Sequence, residues 1–131
     1  MLKERTTKQK MLILSTVCAS KAHPTAEQVY DMLKNEMPGL SLGTVYRNLN
    51  RMAELGQIRR LSVTNSPDRF DGDLRPHHHI CCSACGDFSD YFNVSDESAI
   101  DAQISIQTGF EIQRHETVFY GICPKCRACK Q

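Results

Sequence analysis

The 131-residue sequence lacks any run of 18 consecutive apolar residues, and it shows no signal-peptide pattern. A membrane-spanning helix needs about 20 mostly apolar residues, so we do not expect the chain to cross or enter a membrane. Net charge is nearly absent as well, at +1 from 16 basic and 15 acidic residues. The total charge therefore indicates no partner, and we expect a cytoplasmic globular protein of one domain or two small ones.

The charges are nevertheless unevenly distributed along the chain. Residues 1–60 hold ten Lys/Arg against five Asp/Glu, whereas residues 61–131 hold six against ten. The basic first part favours nucleic acid as a partner, and the carboxylates of the second part favour metal ions. Ordinary scatter of surface charge is the alternative explanation.

The first half of the sequence predicts three short helices. One is expected over about residues 8–20, and a second begins after Thr25, whose spacing to Gln28 fits a capping box. Ser41 is placed to cap a third helix, which Gly56 ends. The residues expected to face inward are Val29, Met32 and Leu33 on the second helix and Leu42, Val45, Leu49 and Met52 on the third.

A β-hairpin is predicted after the third helix, because residues 57–63 alternate and residues 69–71 return after a turn. Helices followed by a basic hairpin form a winged helix-turn-helix, in which the helix after the turn enters the major groove of DNA. Arginine there reads guanine, and tyrosine contacts thymine methyl groups or phosphate. The candidate DNA-contacting residues are Ser41, Thr44, Tyr46, Arg47 and Arg51. A solvated helix face without DNA contacts is the alternative.

The second half predicts a small α/β domain, which makes the whole chain α+β. The expected elements are strands over 78–82, 88–94 and 110–123 and a helix over about 96–108. Ser95 is expected to be the N-cap of this helix and Gly109 its end, while Ile100, Ile104 and Ile106 should pack against the sheet. An exposed edge in so small a sheet favours a homodimer.

Two Cys-x-x-Cys pairs lie in this second half, Cys82 with Cys85 and Cys123 with Cys126. Four thiolates favour a closed tetrahedral Zn²⁺ site, with Zn–S distances of about 2.3 Å, that stabilises structure. Cys126 also begins an overlapping pair with Cys129. In a secreted protein seven cysteines would indicate disulfides. Without an export signal, the spacing favours reduced, metal-bound thiols.

Three consecutive histidines, numbered 77 to 79, precede the first cysteine pair. On an extended strand His77 and His79 share one face, and His78 lies on the other. Imidazoles combined with carboxylates suit exchangeable Fe²⁺, Mn²⁺ or Zn²⁺ and can leave one coordination position open. The sequence therefore predicts a second metal site at these histidines. We expect this site, and not the four-cysteine site, to carry the function of the protein.

Five segments of the chain together resemble the ferric uptake regulator (Fur) family. They are AHPTAEQVY at 22–30, SLGTVYRNL at 41–49, RFD at 69–71, HxHxxCxxCG at 77–86 and YGICxxC at 120–126. The resemblance implies a dimeric, metal-dependent repressor that binds double-stranded operator DNA. It divides the chain into a winged-helix DNA-binding domain over 1–70, a hinge over 71–76 and a dimerisation and metal-binding domain over 77–131.

The resemblance also assigns the metal ligands. Fe²⁺ or Mn²⁺ would be bound by His23, Asp71, His77, His79 and Asp90, and structural Zn²⁺ by Cys82, Cys85, Cys123 and Cys126. His23 belongs to the first domain and the other regulatory ligands to the hinge and second domain. Metal binding should thus fix the angle between the two winged helices of a dimer. DNA and metal should then strengthen each other's binding by the same factor.

Asp90 stands where iron-sensing members of the family usually have Glu, and in this the chain resembles the peroxide-sensing (PerR) branch. In that branch bound Fe²⁺ reacts with hydrogen peroxide, and the resemblance assigns the oxidation to His23 or His77. The alternative function is an iron- or zinc-responsive repressor. For Asp90 itself, the alternative is an ordinary surface carboxylate. A second alternative is an interaction module that contains the zinc site but does not bind DNA. Such a protein would show no dependence on metal or salt in gel-shift assays.

An enzyme is not expected, because no separate general base or substrate pocket is recognisable. Metal ions and hydrogen peroxide are the only small molecules that the sequence predicts as partners. His115 lies where some family members bind a further metal, with an ordinary surface histidine as the alternative. Cys18 is predicted to be a buried small side chain on an apolar helix face.

Overall fold

A computed structural model of the chain describes residues 2–92 and 97–129, with side chains from residue 7 onward. The chain forms two compact units, Met1–Arg75 and Pro76–Gln131. The boundary between them falls inside residues 71–76, the segment predicted as the hinge. None of the described helices is both long and apolar enough to cross a membrane.

The first unit is a three-helix cluster followed by a hairpin. Its elements are α1 (Leu2–Ala19), α2 (Ala26–Leu33), α3 (Leu42–Glu54), β1 (Arg59–Leu61) and β2 (Arg69–Asp71). The two strands are antiparallel, with Arg60 opposite Phe70. The buried core includes Ile13, Val17, Val29, Leu33, Val45, Leu49, Met52, Ile58 and Phe70. This arrangement is the predicted winged helix-turn-helix.

Local capping fixes where two of these helices begin. The Thr25 hydroxyl accepts the Gln28 backbone N–H at 3.2 Å, and the Gln28 side chain accepts the Thr25 N–H at 2.9 Å. This is the predicted capping box, which satisfies two backbone donors reciprocally. Ser41 caps α3 by accepting the Thr44 N–H at 3.1 Å. Gly56 follows α3 with φ of 76°, as expected of a helix-ending glycine.

The structure corrects three expectations for this unit. Helix α1 begins at Leu2, not near residue 8, because most of residues 3–10 are Lys, Arg, Glu or Gln, which are good helix formers even without an apolar period. Met32, expected in the core, is 48% exposed, and Leu42 is only partly buried. Cys18 is exposed, so the prediction of a buried thiol was wrong. It lies against Gly72, where an added Cβ would be only 2.6 Å from the Cys18 Cα.

The second unit is a three-stranded sheet with two helices. Its elements are β3 (His78–Cys82), β4 (Phe88–Tyr91), α4 (Ser98–Thr108), β5 (Val118–Gly121) and α5 (Pro124–Ala128). The strand order is β4-β3-β5, with β3 antiparallel to β4 and parallel to β5. This register pairs His79 with Asp90 and Cys82 with Gly121. The central strand therefore carries residues of both predicted metal sites.

Two predictions for the second unit were wrong. The strand expected over 110–123 is confined to Val118–Gly121, because the pairing of β3 with β5 begins only at His79, opposite Val118. Helix α4 buries no residue within the chain, and Ile100, Ile104 and Ile106 are 48%, 41% and 84% exposed. Gly109 ends α4 with φ of 80°, as predicted. The expected cap Ser95 and the end of the 88–94 strand lie outside the described residues.

Candidate metal centres and DNA-facing helix

His23 and Asp71 form a buried pair in the first unit. The His23 backbone has a φ of 54°, a left-handed conformation that costs energy for a non-glycine residue and is often found at functional sites. The Arg69 guanidinium donates to the His23 carbonyl at 3.1 Å, and the Phe70 N–H donates to the Pro24 carbonyl at 2.9 Å. These bonds tie the loop to β2 and bring His23 Nε2 within 3.4 Å of Asp71 Oδ2.

The Asp71 carboxylate is itself oriented by the backbone. The Asp73 N–H donates to Asp71 Oδ1 at 2.9 Å, while Oδ2 faces His23. Both His23 and Asp71 are almost fully buried, at 1% and 4% exposure. An imidazole and a carboxylate are thus held together away from bulk water. Metal-binding side chains are commonly oriented by neighbouring hydrogen bonds in the same way.

His77, His79 and Asp90 form a second cluster, within the second unit. Asp90 Oδ1 lies 3.3 Å from His77 Nε2 and 3.5 Å from His79 Nε2. Both imidazoles are buried, and the Asp90 side chain is 23% exposed. Two imidazole nitrogens converge on one carboxylate oxygen. A cation placed between these three groups could be bound by all of them. We call these residues the His/Asp cluster.

Aromatic rings border the His/Asp cluster, and the sequence analysis missed them. Phe92 is stacked on His77, with ring centroids 4.5 Å apart and planes 24° apart. Phe88 lies 5.4 Å from the His79 ring. Strand alternation puts residues 88 and 92 on the same face as Asp90, but the stack on His77 depends on the β3–β4 register, which no local pattern supplies.

The four cysteines Cys82, Cys85, Cys123 and Cys126 meet in one place. Their sulfur atoms all lie within 4.8 Å of one another, and Cys85 Sγ is 3.8 Å from Cys123 Sγ. Cys82 ends β3, and Cys123 is the N-cap of α5, so the parallel pairing of β3 with β5 brings the two pairs together. We call this group the four-cysteine cluster.

The electrostatics of the four-cysteine cluster favour a bound cation. The Cys123 backbone N–H, which lies 3.3 Å from Cys82 Sγ, lowers the pKa of Cys82 to about 6. Interaction with the Cys123 and Cys85 thiols raises the pKa of Cys126 to about 12. The crowding of four sulfur atoms therefore disfavours four thiolates together, and a bound cation would relieve it. Soft sulfur ligands in this number suit tetrahedral Zn²⁺.

A third polar cluster joins α4 to the sheet. His115 contacts two acids, with Nε2 2.6 Å from Glu97 Oε2 and Nδ1 2.6 Å from Asp101 Oδ1. His78, on the strand face opposite His77, lies 2.9 Å from Glu97 Oε1. Glu97 and then Asp101 raise the pKa of His115, and His115 and then His78 lower the pKa of Glu97. The neighbouring Glu116 pairs instead with an arginine, Arg114.

Helix α3 carries the predicted DNA-contacting residues on its exposed side. Tyr46 is 39% exposed. The hydroxyl groups of Ser41 and Thr44 are 2.9 Å apart, and Arg47 Nη2 donates to the Thr44 hydroxyl at 3.1 Å. Arg51 pairs with Glu54 at 3.5 Å. The first turn of α3 thus presents a connected row of hydrogen-bonding groups.

A contact between the hairpin and α3 was not foreseen from the sequence. Arg60, on β1, donates to the Asn50 side chain at 2.7 Å, and it lies 3.9 Å from Asp68 near the start of β2. In both contacts the two residues are well separated in sequence, so no local pattern could have predicted them. The contact with Asn50 links the wing to α3, and the contact with Asp68 lies within the wing.

Helices followed by a wing, together with a four-cysteine cluster and buried imidazole–carboxylate clusters, define the class of metalloregulatory winged-helix proteins. Residues 2–120 match the ferric uptake regulator family. The chain belongs to this family, whose members are metal-responsive repressors.

Individual relatives resemble the chain along nearly its whole length. The peroxide-responsive repressor PerR of Staphylococcus aureus is 32% identical over 123 residues, which cover 94% of this chain and 82% of the relative. The crystal structure of the Campylobacter jejuni peroxide stress regulator superposes with a TM-score of 0.77 at 28% identity, covering 96% of each chain. The iron-containing ferric uptake regulator of Francisella tularensis gives 0.72 at 25% identity, covering 90% of each. The chain is thus similar both to peroxide-responsive and to iron-containing regulators.

Proposed function

We propose that this protein is a dimeric, metal-dependent repressor that senses hydrogen peroxide through oxidation of a ligand histidine. The observation that carries the proposal is the convergence of His77 and His79 on Asp90, at 3.3 and 3.5 Å. The identity of residue 90 as Asp and the similarity to the S. aureus and C. jejuni peroxide regulators support the peroxide branch.

We propose one regulatory ion, Fe²⁺ or Mn²⁺, with five ligands. They are His23, Asp71, His77, His79 and Asp90. Three imidazoles and two carboxylates suit these ions and leave one octahedral position for a further ligand. Bound Fe²⁺ would supply the electrons that split hydrogen peroxide, which Mn²⁺ would not. Ligation of one ion by residues of both units would couple the units, so oxidation of His23 or His77 to a poorer ligand would release operator DNA.

Zn²⁺ is the proposed occupant of the four-cysteine cluster, with a structural role. All four sulfurs belong to the second unit, and the crowding that raises the pKa of Cys126 would be relieved by a divalent cation. The ion would join the end of β3 to the start of α5. A closed set of four thiolates leaves no position for peroxide, so no sensing role is assigned to it.

Operator DNA is the proposed partner of α3. Ser41, Thr44, Tyr46, Arg47 and Arg51 would make its contacts. Arg47 can reach guanine bidentately once it leaves the Thr44 hydroxyl, and Tyr46 is exposed for thymine or phosphate contact. Wing residue Arg60 would hold α3 through Asn50.

A second copy of the chain is the proposed partner of the second unit. Strand β5 is an edge strand of the β4-β3-β5 sheet, and α4 exposes Ile100, Ile104 and Ile106. Uncovered apolar residues and an edge strand each favour association, and a two-fold partner would cover both.

The test is operator binding by fluorescence anisotropy with Fe²⁺-loaded and Mn²⁺-loaded protein, before and after hydrogen peroxide. We expect peroxide to abolish operator binding only by the Fe²⁺ form, together with one added oxygen on His23 or His77. The Mn²⁺ form is the matched control. Binding that follows free metal concentration and ignores peroxide would contradict the proposal and assign the protein to the iron- or zinc-responsive branches.

A further inference from the structure

Phe92 covers one of the two histidines at which oxidation is proposed. Its ring is stacked on the His77 imidazole, with centroids 4.5 Å apart and planes 24° apart. Continuing the β3–β4 register one step beyond the pair His78 and Tyr91 places Phe92 opposite His77. Strand pairing therefore sets the stack. His79 stands edge-on to the same imidazole, with centroids 4.5 Å apart.

We propose that Phe92 shields the His77 imidazole and thereby directs ring oxidation towards His23. The proposal rests on the proposed peroxide chemistry at the His/Asp cluster. In the net reaction the Cε1–H of an imidazole becomes a carbonyl, and that hydrogen moves to a ring nitrogen. Hydrogen peroxide supplies the oxygen atom and accepts two electrons, and its second oxygen leaves as water.

The face of the imidazole matters because oxidants add to an aromatic ring from above or below its plane. A second ring stacked at van der Waals distance closes one of these two approaches. The His77 side chain is fully buried, so its remaining surface is also enclosed by protein. Phe92 itself is 42% exposed, so it lies at the outer side of this stack, between His77 and solvent.

The exposure of Phe92 also makes it suitable for substitution. Phe92→Leu removes the ring but keeps an apolar side chain at a half-exposed position, so the second unit should still fold. Phe92→Tyr keeps the ring and its stacking geometry and is the matched control. In protein that retains zinc but lacks the regulatory metal, loss of the stack should shift the His77 Hε1 NMR resonance in Phe92→Leu and leave it near its wild-type position in Phe92→Tyr.

The test compares oxygen incorporation at His77 and His23 in wild type, Phe92→Leu and Phe92→Tyr by peptide mass spectrometry. One arm uses hydroxyl radicals made by radiolysis of aerated water, on protein without regulatory metal. The other uses Fe²⁺-loaded protein and hydrogen peroxide. We expect Phe92→Leu to raise the His77 share at least about twofold in both arms, because a closed face of an otherwise enclosed ring is opened, and we expect Phe92→Tyr to leave the share unchanged.

The two arms separate this inference from the proposed function. An unchanged His77 share in Phe92→Leu under radiolysis would overturn the shield, and an unchanged share under Fe²⁺ and peroxide would overturn the steering. A rise under radiolysis with no histidine oxidised by Fe²⁺ and peroxide in any protein would support the shield while contradicting the proposed function. An equal rise in Phe92→Tyr would overturn the proposal, because the ring would then not be the cause.

Discussion

The four-cysteine cluster and the His/Asp cluster share strand β3 but differ in almost every physical respect. The four-cysteine cluster combines soft, like-charged ligands at the junction of β3 and α5, with Cys85 exposed. The His/Asp cluster combines buried imidazoles with one carboxylate that is 23% exposed. Thiolates bind tightly and leave no open position, whereas imidazole and carboxylate bind exchangeable ions. This difference in ligand type is the reason for proposing a structural role for one site and a regulatory role for the other.

The largest expected effect comes from breaking the four-cysteine cluster with Cys82→Ser. Because structural Zn²⁺ contributes on the order of 10 kcal/mol to folding such small domains, the second unit should unfold and dimerisation should be lost. Circular dichroism and sedimentation velocity, with zinc content measured in parallel, would check this. Cys129→Ser is the control and should keep both zinc and dimer. A folded, zinc-free Cys82→Ser dimer would contradict the structural role.

Breaking the His/Asp cluster with His77→Ala should leave the fold and the zinc in place but abolish metal-dependent operator binding. Loss of one imidazole ligand should weaken Mn²⁺ binding by at least about 100-fold, judged from the 10–100-fold cost of losing only a supporting residue. Calorimetric Mn²⁺ titration checks it, and His78→Ala, on the opposite strand face, is the control. Equal losses of Mn²⁺ affinity in both variants would contradict the assignment of His77, and not His78, as a metal ligand.

Replacing Arg47 with Ala should affect DNA binding while leaving both metal clusters intact. Loss of a bidentate base contact should cost about 1–3 kcal/mol in operator affinity, with Mn²⁺ binding unchanged. Anisotropy titrations with operator and unrelated DNA measure both affinity and discrimination. Lys34→Ala, which removes an exposed cation paired with Asp31 outside α3, is the control. Identical affinity of Arg47→Ala and wild type would remove α3 from the proposed interface.

The smallest expected effect concerns pH and the cluster of His115 with Glu97 and Asp101. Both acids raise the pKa of His115 above its usual 6.5, so its stabilisation is fully present below 6.5 and lost as pH rises through the raised value. The lowered pKa of Glu97 keeps its contribution present above 4.5 and lost only as pH falls through the lowered value. These partly exposed pairs should change the melting temperature by only a few degrees.

Melting curves of wild type and His115→Asn across pH 5 to 9 would check this. The difference between the two proteins should be largest in mildly acidic solution and should shrink in alkaline solution. A difference that grows as pH rises would contradict the assigned direction of the His115 pKa.

Much of the fold and the candidate sites followed from the sequence because their determinants are local. The Thr25 and Ser41 caps, the Gly109 helix end and the antiparallel hairpin each depend on residues within a few positions. Spacing indicated the Cys-x-x-Cys pairs, the family resemblance selected these four cysteines over the overlapping pair with Cys129, and the structure brings their sulfurs together. Strand alternation likewise placed His77 and His79 on one face, where both meet Asp90.

Other features depend on contacts that no local pattern encodes. The stack of Phe92 on His77 requires the β3–β4 register, and the bond from Arg60 to Asn50 requires the wing to meet α3. The isoleucines of helix α4 remain 41–84% exposed within the described part of the chain, and their proposed partner is another copy. The spacing of apolar residues along a helix indicates that one side of the helix is apolar, but it does not indicate which molecule covers that side.

Mass spectrometry of Fe²⁺-loaded protein after hydrogen peroxide would show whether the His/Asp cluster responds while the four-cysteine cluster only stabilises. Native spectra report the metals retained, and peptide spectra report the modified residues. We expect one added oxygen on His23 or His77, with iron released and zinc retained on unmodified cysteines. Disulfides among the four cysteines, zinc loss and unmodified histidines would contradict this division of roles.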